Sequence, residues 1–236
     1  INFILRDDFE GAETTASYGT VTEGRMEEYR LSQTLGSAWD SGNLLGTYEY
    51  SGRDNLTLAD RPDIGLFEPR VEGDLLPDAR FLDLLPAQER HSLLLSGSQQ
   101  VSRKLGLSAS ALYSKRDTER TRFNRNTSID VYETESEGLT LAFAADYDLS
   151  ASWAANLDVS YGQIRNKEGR FRIEDGIRPD DPVDNVRTDS DLWSLDLKLD
   201  GDLFSLPGGT VKAALGGHLR REEFSNEILG LQITAD

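Results

Sequence analysis

The densest run of potentially reactive side chains in the 236-residue sequence is KRDTERTRFNR, which carries Lys115, Arg116, Arg120, Arg122 and Arg125. Guanidinium groups grip carboxylates and phosphates with two parallel hydrogen bonds. Arg116, Arg120 and Arg122, with Phe123 as a stacking surface, are therefore candidate contacts for an anionic substrate. The plainer reading is a solvated loop whose cations pair with Asp117 and Glu119. The segment EDGIRPDDPVDN gathers Glu174, Asp175, Asp180, Asp181 and Asp184. Their oxygens suit calcium in number, but the spacing is not that of an EF-hand loop, and Pro179 and Pro182 restrict it. A solvated loop is again the simpler reading. His91 and His218 are the two histidines. His218 shares strand parity with Lys212 and Arg220, and neither histidine has a partner at metal-ligand spacing. Glu135 with Glu137, or Glu222 with Glu223, could be imagined as a hydrolytic pair. Such pairs arise by chance among 42 acidic residues, and hydrolysis needs a defined carboxylate separation. Phe67, Phe81 and Phe123 lie in polar stretches, where they either stack on a ligand or pack on their own loops. The expectation is no enzyme, no catalytic residue, no metal site and no cofactor.

Those side chains must be held by strands. Residues 139–161, LTLAFAADYDLSASWAANLDVSY, alternate apolar and small or polar residues on both sides of a polar turn at 148–152. Period two means strands, because successive side chains point to opposite faces. The same rhythm predicts strands at 1–5, about 12–21, 26–39, 43–53, 91–101, 105–114, 193–200 and 210–222. Tight or polar turns fall at 40–43, 102–104 and in GDLFSLPGG at 201–209. Residues 54–89 lose the period, and Pro62, Pro69, Pro77 and Pro86 mark a long loop. Residues 115–136 and 165–189 are polar and also read as long loops.

Nine strands of roughly 9–14 residues match the length of a tilted membrane-crossing strand. Apart from a short first outward connection near 22–25, short and long connections alternate, as they do in barrels with short turns at one rim and long loops at the other. Tyr113, Tyr147, Trp153, Tyr161 and Trp193 sit at strand ends, where interfacial aromatic girdles lie. With 37% hydrophobic residues and a mean hydropathy of −0.50, helical membrane bundles are excluded but a barrel is not. The net charge of −17 argues against nucleic-acid binding. The absence of cysteine excludes thiol chemistry. The fold expected is all-β: an antiparallel up-and-down transmembrane β-barrel, here a partial wall of about nine strands.

Three strings resemble TonB-dependent outer-membrane receptors. INFILRDDFEGAE followed by SYG resembles the junction of plug and barrel in that family. EEYRLSQTLGSAWDSGNLLGTYEYSGRD resembles its next strands, and GDLFSLPGGTVKAALGGHLRREEFS a later turn and strand. The resemblance implies that residues 1–10 end a plug domain and linker, and that 11–236 form the N-terminal portion of the barrel. The chain then reads as an internal fragment of a barrel of roughly 22 strands with a plugged lumen. It also implies residence in the bacterial outer membrane and energised uptake of a scarce solute, such as a ferric siderophore, a cobalamin or an oligosaccharide. The implied partners are that extracellular solute or metal chelate, the TonB energy complex through the plug, and outer-membrane lipid. Lipopolysaccharide phosphates would then be a second anion for the arginine-rich segment. The triplets Asn55-Leu56-Thr57 and Asn126-Thr127-Ser128 match a glycosylation signal only by coincidence in such a protein. Two alternatives remain from the residues themselves: a small self-closing barrel acting as a passive pore or anchor, and a soluble β-rich binding module.

Overall fold

The computed structural model describes residues 9–61, 82–123, 129–174 and 177–229. The strand expected at 1–5, Pro62, Phe67, Pro69, Pro77, Phe81, Arg125, the 126–128 triplet and Asp175 lie outside the described residues, as does the side chain of Phe123.

In chain order the strands are β1 (Gly11–Thr20), β2 (Glu27–Trp39), β3 (Gly42–Arg53), the short β4 (Leu56–Thr57) and β5 (Asp83–Leu85), β6 (Ala87–Ser102), β7 (Leu105–Phe123), β8 (Ile129–Asp148), β9 (Trp153–Ile173), β10 (Asp184–Leu206) and β11 (Gly209–Leu229). Nine of them form one sheet in the order β1-β2-β3-β6-β7-β8-β9-β10-β11, each antiparallel to its neighbours. Long strands therefore follow one another up and down without a crossover. The sheet is open, with β1 and β11 at its two edges. This is the architecture of a partial barrel wall, and its nine long strands are the nine read from the alternation between residues 12 and 222.

Strand lengths depart from the expectation. The segments at 115–136 and 165–189 are largely strand, not loop: β7 to β11 run to 19, 20, 21, 23 and 21 residues. The ladder continues because polar residues keep period two there, with charges on both faces, and a hydrogen-bonded neighbour on each side holds the backbone extended. Within 201–209, residues 201–206 belong to β10 and the turn shrinks to 207–208. At that rim the other turns are 40–41, 103–104 and 149–152, while at the opposite rim the strands end and resume at 20 and 27, 53 and 87, 123 and 129, and 173 and 184. The parity of short and long connections holds, although half the expected loop length is strand.

The described ends of the 54–86 connection pair with each other as β4 and β5, and a 3₁₀ turn, Leu58–Asp60, follows β4. The ladder between β6 and β7 ends at Ala87 and Glu119. Beyond it, the Asp83 carboxylate accepts the Thr121 amide at 2.6 Å, so β5 satisfies a β7 donor that β6 no longer reaches.

Among the described residues, the buried apolar side chains are Met26, Leu45, Leu56, Val131 and Phe171, and none is fully enclosed. Among the described residues, the lower two thirds of the sheet form a single layer with no second layer packed on either face.

Two glycines show how the layer is shaped. A Cβ at Gly201 would lie 2.4 Å from the Trp153 ring, and one at Gly52 2.4 Å from the Tyr29 ring. Each aromatic ring covers a glycine on the neighbouring strand, the arrangement that shields exposed backbone and pins register. Trp153 also donates its indole N–H to the Asp202 carbonyl at 2.9 Å. Gly201→Val should displace the ring, break that hydrogen bond and cost ~1–3 kcal/mol of unfolding free energy through overpacking. Chemical denaturation with tryptophan emission as the probe measures it, with a red-shifted native spectrum expected.

Candidate functional site

The register sorts side chains into two faces. One carries Trp193, Leu195, Leu197 and Leu199 of β10, directly opposite Tyr161, Val159, Leu157 and Ala155 of β9. The row continues through Leu141, Phe143, Ala145 and Tyr147 of β8 into Ala111, Ala109, Leu107 and Leu105 of β7. Beyond it lie Leu95, Leu93, Leu44, Tyr48, Leu35 and Leu31. These side chains are exposed or half-buried; Leu44 is 59% and Leu197 46% accessible. The band is bounded by Tyr161 and Trp193 above and by Trp153 and Gly201 below. That is nine residues along β9, inside the ~9–11 that a tilted strand needs to cross a bilayer.

The aromatic borders are oriented. The Tyr161 hydroxyl donates to the Asp191 carboxylate at 2.7 Å, and Tyr113 donates to Glu137 at 3.3 Å. Both hydroxyls point away from the apolar band toward the first carboxylate beyond it. Tyr161 packs on Trp193 with ring centroids 4.4 Å apart. Tyr29, Tyr50 and His91 stack in series at 5.7 and 4.8 Å, and Tyr48 shares a 2.8 Å hydrogen bond with His91 Nδ1. At the lower border Trp39 donates to Gln99 at 2.9 Å. A ring facing the apolar side with its polar atom at the wet side is the amphipathic use of Tyr and Trp.

Above the band this same face turns charged. Lys115 and Lys167 hold Glu135 from two strands at 2.7 and 3.1 Å. Higher still, Val131 and Phe171 are buried opposite each other. Arg178 covers the Phe171 ring at 4.3 Å and pairs with Glu133.

The other face is small and polar in its lower half. Ser96, Ser98, Ser108, Ser110, Ser160 and Ser194 line a hollow of about 540 Å³. His218 lies opposite Asp196, and its Nδ1 is 2.7 Å from that carboxylate. The upper half carries the arginines. Alternation splits the basic segment: Lys115 faces the apolar side, while Arg116, Arg120 and Arg122 share the polar face of β7 with Ser108 and Ser110. These candidates are thus strand residues, a correction to the loop reading. Arg122 stacks over Tyr132 at 5.7 Å. Asp130, opposite Arg122 and the most enclosed charged side chain, is held by Arg172 at 3.1 Å and Arg170 at 3.5 Å, and Arg170 also pairs with Asp184.

The remaining candidates separate. Glu222 and Glu223 are adjacent in β11, so they point to opposite faces and cannot act on one bond. Glu135 is committed to its two lysines. Asp184 lies in β10 rather than in a loop with Asp180 and Asp181. No group of three or more metal-ligating side chains forms among the described residues. Arg90, facing Arg116 across the β6–β7 ladder, was not singled out by sequence; only the register pairs it with the arginine-rich segment.

No protein-family profile matches the chain, and no curated protein matches it.

Lys115 and Lys167 hold the Glu135 carboxyl below its ordinary value of 4.5, through their hydrogen bonds first. A carboxyl lowered on folding contributes fully above its unfolded pKa and loses that contribution as pH falls through the lower folded value. Glu135→Gln should therefore lower the thermal midpoint at neutral pH. The difference from the wild type should shrink below pH 4.5. Midpoints measured from pH 7 to pH 3 test this.

Proposed function

We propose that this sheet is the lipid-facing wall of an outer-membrane β-barrel, and that the barrel is a TonB-dependent receptor importing a scarce solute. The observation that carries the reading is the nine-residue apolar band on one face, bordered above and below by aromatics that turn their polar atoms outward. A soluble sheet would bury such a face against a second layer. Here the described residues supply no second layer over it.

The polar face would then line the lumen, and the charged upper third of β7 to β11 would stand beyond the outer leaflet. A bilayer does not tolerate unpaired edges, so β1 and β11 would be paired by further strands in the complete barrel. Resemblance in the plug–barrel junction and in the GDLFSLPGG segment supports the receptor class over other large barrels. In that class the loops and lumen capture the solute, and a plug driven by the inner-membrane TonB complex releases it inward. The solute classes implied are a ferric siderophore, a cobalamin or an oligosaccharide.

Uptake of radiolabelled ferric citrate, cobalamin and a maltooligosaccharide by cells producing the full-length protein separates this reading from a passive pore. Accumulation above that of a deletion strain should stop on adding a protonophore or deleting TonB. Accumulation that persists without energy would mean a pore, and recovery of the protein with soluble proteins would remove the membrane reading altogether.

A further inference from the structure

On the polar face, Arg90 of β6 and Arg116 of β7 stand directly opposite each other. Side chains so paired start ~5 Å apart at Cβ, and like charges in that position destabilise a sheet. Among the described residues, no carboxylate stands opposite or diagonal to Arg116 on this face, where its neighbours are Arg90, Gln88, Ser92, Ser136, Thr134 and Gly138. Arg90 has one, Glu49, which pairs with Arg30 at 3.7 Å. Arg53, diagonal to Arg90, adds another cation and spends its Nη2 on the Pro86 carbonyl. In a chain of net charge −17, these two facing arginines share, among the described residues, one neighbouring carboxylate, Glu49, which is itself paired with Arg30.

Their surroundings are built for a polar guest. Arg90 and Arg116 line a hollow of about 930 Å³ together with Ser114 and Ser136. The buried Ser92 hydroxyl, two residues along β6 from Arg90, has no hydrogen-bond partner. The far side of the hollow carries Ile164, Leu192 and the exposed Phe224, beside Glu222, whose carboxylate is paired with Arg220. The geometry points to a binding site for a small amphipathic anion: two or more acidic oxygens gripped by Arg90 and Arg116, hydroxyl contacts from the serines, and an apolar or aromatic body against Ile164 and Phe224. A doubly charged ligand would supply the negative charge that the sheet itself withholds. This inference rests on the uptake reading for its biological purpose, but not for the binding itself.

Binding of pyranine, a pyrene bearing three sulfonates, to the purified full-length protein in detergent tests the site. Wild-type protein should bind the dye, less tightly as salt rises. Arg90→Gln with Arg116→Gln should weaken binding at least ~10-fold, with strand content by circular dichroism unchanged because no carboxylate loses its partner. Ser136→Asp, which places a carboxylate opposite Arg116, should weaken it in the same direction and guards against misfolding of the double variant. Displacement by citrate rather than pyrophosphate would identify a polycarboxylate as the natural class, and the reverse a phosphate. A wild-type protein that does not bind pyranine, or a double variant that binds within twofold, would overturn the site. Dye binding without energised uptake would sink the receptor reading and leave the site standing; energised uptake with unaltered dye binding in the variants would do the opposite.

Discussion

Everything in this structure follows from the sheet being a single layer. Nine strands pair side by side, yet among the described residues neither face meets a second layer of side chains over the span of the apolar band. Exposing a leucine-sized side chain to water forgoes ~1.5–3 kcal/mol, and the band holds more than ten large apolar or aromatic residues. Conformational entropy opposes folding at ~1–2 kcal/mol per residue. Under the proposed membrane reading, the apolar band meets a nonpolar environment of its own height, which the aromatic borders set at about nine residues.

The borders also set a direction. Tyr113 and Tyr161 aim their hydroxyls toward Glu137 and Asp191 at one rim. Trp39 and Trp153 make their hydrogen bonds to Gln99 and Asp202 at the other. Beyond the upper border, paired charges replace leucines on one face, as with Glu135 between its lysines, and arginines gather on the other. β3 and β9 end, and β6 and β10 begin, at the rim of this charged third, while compact turns close the other rim. Under the proposed reading, the two halves of the sheet face different media, and the change occurs at the tyrosines.

Half of this was legible in the sequence. Where one face is apolar and the other polar, as at 105–114, 139–161 and 193–200, period two is visible and the strands sit where it predicts. Where both faces are polar the contrast vanishes. Residues such as Lys115 and Arg116, or Glu135 and Ser136, alternate in direction without alternating in character, so the upper halves of β7 to β10 look like loop. That loss carried over to the candidate site. Arg116, Arg120 and Arg122 were found by residue type, but their shared face and the separation of Lys115 from them depend on strand direction. Arg90 lies 26 residues before Arg116 in sequence and meets it only through register, which no local pattern encodes.

The central claim is that the Leu195 face meets hydrocarbon and the Asp196 face meets water. The chain contains no cysteine, so single thiols at 195, 196, 197 and 198 of the full-length protein in native outer membranes report each face directly. A small maleimide reacts only with a hydrated, ionisable thiol. Leu195→Cys and Leu197→Cys should react at least ~10-fold more slowly than Asp196→Cys and Lys198→Cys, and detergent extraction should narrow the gap. Equal rates at all four positions, or protection of 196 and 198 instead, would contradict the account.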